Sequence, residues 1–140
     1  VAVHQALHLH KGLKGEPAAG DYSLLPRAVF TEPEIAGAGI QENELPAAEG
    51  FDVVKIPFGE TWRGFAGGEE GFLKLIFDKS EVLAGIWGVG HGVSALLSAS
   101  GLLLGKKITV DDIIDSLFIH PTMGEGILEA AFEYNIRKRT

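Results

Sequence analysis

Cysteine is missing from all 140 residues. That excludes disulfide staples, thiolate zinc sites and a redox-active cysteine pair within this chain, and it favours a reducing compartment such as the cytoplasm. Long apolar runs are missing too, since none approaches the roughly 18 residues that a membrane-spanning helix needs. Basic charge is scarce, with 12 Lys and Arg against 19 Asp and Glu, a formal charge of −7. Such a balance argues against a general nucleic-acid binder, because phosphate backbones reward clustered cations. The one dense basic run, Arg137-Lys138-Arg139, stands where it complements the negative end of a helix. An initiator methionine and a signal-peptide layout are both lacking, and Val1 falls partway into an apparent helix, so the sequence reads as a piece of something longer. Serine-nucleophile motifs, Walker-type loops, internal repeats and low-complexity tracts are absent as well.

What is present is ordinary globular material, 46% hydrophobic and 22% charged. It suffices for one domain that buries roughly two thirds of its unfolded surface. Val3, Ala6, Leu7 and Leu13 are spaced for a helix ending near Gly12 or Gly15, and Lys14 to Ser23 reads as a linker. A first strand is expected over Leu25 to Thr31, a turn at Glu32-Pro33-Glu34, and a short helix over Glu42 to Glu49 with Pro46 in its first turn. Further strands are expected over Phe51 to Phe58, Phe72 to Asp78 and Val82 to Val89. A Gly-laden loop holding Thr61, Trp62, Arg63 and Gly64 follows the first of these. Asp78-Lys79-Ser80-Glu81 should connect a hairpin. One helix, with a stripe of Val93, Leu96, Leu97, Ser100, Gly101 and Leu104, is expected to stop near Gly105. Thr109 and Asp112 mark the next helix start, and a last helix turns Ile127, Ala130, Ala131 and Tyr134 inward. Strands first and helices second predict an α+β fold: an antiparallel sheet of about four or five strands with helices packed on one side.

Three places could carry chemistry. His120 precedes Pro121, which holds it out of helical geometry and lets its ring project from a loop. Glu125, in the first turn of the next helix, can accept a hydrogen bond from one ring nitrogen and leave the other free as a base. Thr122 and Glu125 also have the spacing of a capping box, which needs no catalysis, and one carboxylate can serve both purposes. Second, Gly88-Val89-Gly90-His91-Gly92 sits between a strand and a helix like a dinucleotide-binding turn. Val93 occupies the place of the third glycine and no parallel strand follows, so structural turn glycines are expected. Third, His4, His8 and His10 cluster, with His4 and His8 one turn apart. No Asp, Glu or Cys lies close in sequence to complete a metal set, and no metal site is expected.

Taken together, several segments resemble the dimerisation domain of the pyridine nucleotide–disulfide oxidoreductases, of which dihydrolipoamide dehydrogenase is a well-known member. Leu25-Pro26-Arg27-Ala28-Val29-Phe30-Thr31-Glu32-Pro33-Glu34-Ile35-Ala36 looks like the family's entry strand and its T-x-P-E-[IV]-A signature, with Gly39 as its closing glycine. His120 to Glu125, followed by Leu128-Glu129-Ala130-Ala131, looks like its H-P-T-x-S-E and trailing helix. Val1 through Gly15 is similar to the helix ending the upstream flavin-binding part. Departures are Gly124 in place of serine, Ala38 in place of valine, and Val93 where a glutamate often opens the helix.

The resemblance implies that residues 1–22 close a flavin domain and its linker, and that residues 23–140 form the interface domain. It implies a homodimer, FAD and NAD(P) held by upstream flavin and nucleotide domains of the full-length protein, a dithiol or disulfide substrate, and no cofactor bound to this stretch alone. His120 would act as acid and base at the other subunit's redox disulfide, with Glu125 orienting its ring. His120 and Pro121, joined by a cis bond, would approach the partner's flavin. An apolar helical third rich in Leu and Ile also favours dimerisation. Two other readings are a non-catalytic homodimerisation module and part of a flavin-linked transhydrogenase without a redox disulfide.

Overall fold

The computed structural model describes residues 1–17, 22–45 and 50–139. Five segments pair into one antiparallel sheet: β1 (Arg27–Val29), β2 (Glu34–Gly39), β3 (Asp52–Pro57), β4 (Gly71–Phe77) and β5 (Leu83–Gly90), in the spatial order β1-β2-β5-β4-β3. Alternation along β4 puts Leu73, Leu75 and Phe77 on one face, all fully buried. They meet Val54 and Ile56 of β3 and Ile86 of β5 in the same core. β4 and β5 form a hairpin in which the Asp78 carboxylate accepts from the backbone N–H of Ser80 at 2.8 Å and of Val82 at 3.0 Å. That side chain thus replaces ladder bonds that the tight connection cannot make.

The helices that pack do so against that apolar face. They are α3 (Val93–Leu96), α4 (Ser100–Gly105), α5 (Val110–Ile114) and α6 (Glu125–Arg139). α5 begins as its sequence predicts, because the Thr109 hydroxyl accepts from Asp112 N–H at 3.1 Å and the Asp112 carboxylate accepts from Thr109 N–H at 2.8 Å. α6 buries Gly126, Ile127, Ala130, Ala131 and Tyr134. Its basic end is fastened to β3, where Lys138 pairs with Asp52 at 3.0 Å and Arg137 donates to the Val53 carbonyl at 3.2 Å. Arg137 and Lys138 therefore complement the helix dipole and also reach a neighbouring strand. α1 (Ala2–Leu13) buries no residue at all.

The structure departs from expectation in four places. The strand expected over Leu25 to Thr31 shortens to β1, and the Glu32–Pro33 turn, whose peptide bond is cis, leads into a fifth strand, β2. Its Ile-Ala-Gly-Ala-Gly content has little intrinsic strand preference. Packing makes it a strand: a Cβ on Gly37 would stand 2.3 Å from the Ile86 carbonyl oxygen, so only glycine lets β5 lie so close. Trp62–Gly67, expected as loop, is a short helix, α2, capped by the Thr61 hydroxyl on Gly64 N–H at 3.1 Å. The helix expected from Val93 to Leu104 is broken between α3 and α4, yet Val93, Leu97, Ser100 and Leu104 stay buried on one side. Glu42–Glu44 is a single 3-10 turn, and Pro46 lies outside the described residues.

Candidate functional site around His120 and Glu125

Between α5 and α6 the chain is tied down at two points. Phe118 and Met123 are partly buried against the core, while Leu117 just before them and Ile119 and His120 between them face outward. Pro121 keeps His120 out of the helix that follows, and the His120–Pro121 bond is cis. The turn is closed by the Thr122 hydroxyl, which donates to the Ile119 carbonyl at 2.8 Å.

α6 then brings its first carboxylate back over this bend. Glu125 Oε1 lies 2.8 Å from His120 Nδ1, and Oε2 accepts from Thr122 N–H at 2.8 Å. The acid is therefore held by two hydrogen bonds with only 16% of its side chain exposed, whereas the ring is 61% exposed. The His120 hydrogen bond, and after it the Thr122 N–H, keep the Glu125 carboxyl below the usual glutamate range. With Nδ1 donating to an ionised Glu125, Nε2 is the ring's open acceptor; no partner reaches it among the described residues. The expected capping box forms by half. Glu125 reaches back to Thr122 N–H, but the Thr122 hydroxyl is turned to Ile119.

The structure thus brings together the pair singled out in the sequence and adds a residue that was not. Thr61 is buried and ends the loop before α2; its hydroxyl donates to the Phe58 carbonyl at 2.8 Å and lies 4.0 Å from Met123 Sδ. It backs the root of α6, where Gly126 leaves so little space that a Cβ would stand 3.0 Å from Leu73 Cδ1. The sequence places Thr61 in a glycine-laden loop, because the surrounding glycines mask the helix that it caps. Glu34, quoted above only within a signature, caps α3 by accepting from Ser94 N–H at 3.0 Å, and the Ser94 side chain, then this N–H, lower its carboxyl below the ordinary range. At Gly124, a Cβ would meet Thr122 Oγ1 at 3.4 Å and Leu96 Cδ1 at 3.8 Å, ordinary contacts that a serine would satisfy. Val93 is wholly buried, so the apolar residue there serves packing.

The glycine turn after β5 is structural. Gly90 (φ 147) and Gly92 (φ 70) adopt positive φ, and a Cβ on Gly90 would stand 2.5 Å from Phe58. β5 is antiparallel to both neighbours, so the parallel crossover that supports a dinucleotide is not built here. His4 and His8 do come together, Nε2 to Nε2 at 3.3 Å, and His10 is not part of that contact.

Residues 25–131 match the sequence profile of the pyridine nucleotide-disulphide oxidoreductase dimerisation domain. The chain is 39% identical over 123 residues to dihydrolipoyl dehydrogenase of Halobacterium salinarum, a match covering 85% of this chain and 26% of that protein. To the enzyme of the same name from Geobacillus stearothermophilus it is 36% identical over 125 residues, covering 86% and 26%. It spans about a quarter of the length of these relatives. Among solved structures, LpdA from Mycobacterium tuberculosis superposes with a TM-score of 0.81 at 24% identity, over 90% of this chain and 28% of that one. An HOCl-induced flavoprotein disulfide reductase, RclA from Escherichia coli, superposes at 0.79 with 21% identity, over 90% and 30%. At such identities the superpositions show the fold, and the sequence matches show the relationship. The chain belongs to the dimerisation-domain family of the pyridine nucleotide-disulphide oxidoreductases.

Proposed function

We propose that this chain completes the redox site of an FAD- and NAD(P)-dependent disulfide reductase of the dihydrolipoyl dehydrogenase type, working as a homodimer in the cytoplasm. One observation carries this reading: an exposed imidazole whose Nδ1 is held by a fixed carboxylate and whose Nε2 is open. In the dimer, His120 serves a disulfide of the other subunit, supplied by protein outside this cysteine-free stretch. Neutral His120 takes the proton of a dithiol substrate's thiol at Nε2. The thiolate so formed attacks one disulfide sulfur and the other sulfur leaves as thiolate; the substrate's second thiol then gives up its proton and displaces the attacked sulfur, which closes the substrate disulfide and leaves both cysteines reduced. Glu125, already ionised, orients the ring and stabilises the imidazolium beside the new thiolate. Bound FAD and NAD(P) supply the two-electron relay away from the reduced cysteines.

Residues of this chain fit the edge of a flavin site but not a cofactor cradle. The exposed His120–Pro121 step is open to approach by the partner's flavin, while the glycine turn is packed against Leu73 at Gly88 and against Phe58 at Gly90. We therefore assign both cofactors to the upstream domains. The division at residues 22 and 23 follows the same logic: α1 buries nothing, and the residues packed around the core begin at Leu24.

The test is His120→Gln in the full-length protein. Dithiol oxidation should fall by roughly 10²- to 10⁴-fold, the usual value of a positioned acid–base group, with flavin content intact. An unaltered rate would overturn the assignment. A full-length protein that binds no flavin would select the association module instead, and one that binds flavin but has no cysteine pair would select the transhydrogenase.

A further inference from the structure

The loop that presents His120 also presents two large aliphatic side chains that its own chain leaves uncovered. From Leu117 to Ile119 the backbone alternates: Phe118 turns in against the core, while Leu117 is wholly exposed and Ile119 is 80% exposed. One leucine in water needs no explanation, but two apolar side chains alternating beside an exposed imidazole make a small apolar surface. The loop cannot fold them away. Phe118 and Met123 hold it to the core, and the Thr122 hydroxyl donates to the Ile119 carbonyl at 2.8 Å. Side chains already held out on a fixed backbone lose little freedom when another surface closes over them. Charge points to what that surface is. Ser116 to Met123 contains no Asp, Glu, Lys or Arg, in a chain whose formal charge is −7. Two copies of so acidic a stretch repel, and they approach most easily where each is free of formal charge. Depletion of charge is also what sets the buried centre of a protein interface apart from its rim.

We propose that Leu117 and Ile119 are the anchors that seat the His120 loop in a second copy of the protein, so that the partner's surface, together with Glu125, sets where Nε2 stands. This rests on the assignment of His120 to the other subunit's disulfide, in a chain that belongs to a dimerisation-domain family. Ile119 is bonded directly to His120, so a partner that receives the ring comes within reach of the Ile119 side chain as well. Glu125 fixes the orientation of the ring through Nδ1. It cannot fix how far the loop advances into another subunit, and a contact made by the loop itself can. The two anchors carry no group that transfers a proton, and their part in the reaction is to position His120.

The experiment compares full-length wild type with Leu117→Ala and Ile119→Ala, and with the conservative Leu117→Met and Ile119→Leu. Two differently labelled pools of each protein are mixed and subunit exchange is followed by energy transfer, because interface truncations act mainly on dissociation. Each alanine variant should exchange roughly 10-fold faster, the value of an aliphatic side chain lost from a buried contact, and each conservative variant should stay near wild type. In the alanine variants kcat for dithiol oxidation should fall with KM and flavin content unchanged, because the base is misplaced while the substrate still binds. Wild-type exchange in both alanine variants would overturn the proposal. A raised KM with wild-type exchange would do so by placing substrate against this surface, and lost flavin with wild-type exchange by placing a domain of the same subunit there. His120→Gln keeps both anchors and should exchange as wild type does. An unaltered oxidation rate in that variant sinks the acid–base reading, whereas unaltered exchange in the alanine variants sinks the seat alone.

Discussion

α1 and α6 are the two longest helices of the described chain, at 12 and 15 residues, and they stand at opposite extremes of packing. α1 spaces its apolar residues regularly and leaves Val3, Leu7 and Leu13 exposed. α6 mixes glycine, alanine and charge, yet buries five residues against β3, β4 and α5. The difference lies in the size of the inward side chains and in the surface they meet. Gly126, Ala130 and Ala131 let the α6 backbone come close to the sheet, and Tyr134 then reaches Phe77, with ring centroids 4.9 Å apart. Amphipathic spacing announces that a helix has a face. It does not say that the face is covered.

The largest effect that can test this contrast is Tyr134→Ala. Removing a wholly buried aromatic from beneath α6 should lower unfolding free energy by about 3–5 kcal/mol, measured by denaturant titration. A loss under about 1 kcal/mol, the range of surface substitutions, would show α6 to be no better packed than α1. Next comes Gly126→Ala. Alanine improves helix propensity, but its Cβ presses on a fully buried Leu73, so a net loss of about 1 kcal/mol is expected. A gain would mean that the close approach of α6 to the sheet is not required.

A third effect appears only on acidification. Glu125 is held below the ordinary glutamate range by His120 and Thr122, so the folded chain releases this proton more readily than the unfolded one. The stability it adds is fully present above that ordinary range and is lost as pH falls through it towards the lower folded value. α1 has no acid in its first turn and contributes no such term. Denaturation midpoints followed from neutral to acid pH should therefore fall less steeply in Glu125→Gln than in wild type, with Glu34 and Asp112, also lowered by hydrogen bonds, supplying part of the remaining slope. Equal slopes would detach Glu125 from His120 in solution. The smallest effect is Leu7→Ala on α1, expected within about 0.5 kcal/mol of wild type by the same titration. A loss of 2 kcal/mol or more, as for a buried leucine, would erase the contrast between the two helices.

Much of this was readable beforehand, for local reasons. Alternation placed Leu73, Leu75 and Phe77 on the buried face, Thr109 and Asp112 made their capping box, and Ile127, Ala130, Ala131 and Tyr134 turned inward. The candidate pair was readable for the same reason: His120, Pro121 and Glu125 lie within six residues, and a proline bend followed by a helix start limits where the ring and the carboxylate can go. β2 and α2 were not readable. Each is written in small or glycine-rich residues, and each exists because a neighbour occupies the space beside it: β5 against Gly37, and Phe58 against Gly64, where a Cβ would meet the Phe58 carbonyl oxygen at 2.0 Å.

By itself, then, the order of residues determined the periodic elements, the capped helix starts and the short-range meeting of His120 with Glu125, because these depend on contacts within a few residues. The tertiary structure alone decided that an Ala-Gly segment becomes a central strand and that Thr61 supports the root of α6. Each of those outcomes depends on which distant surface arrives next to a segment, and a side chain's size or periodicity sets only whether that surface can be accommodated.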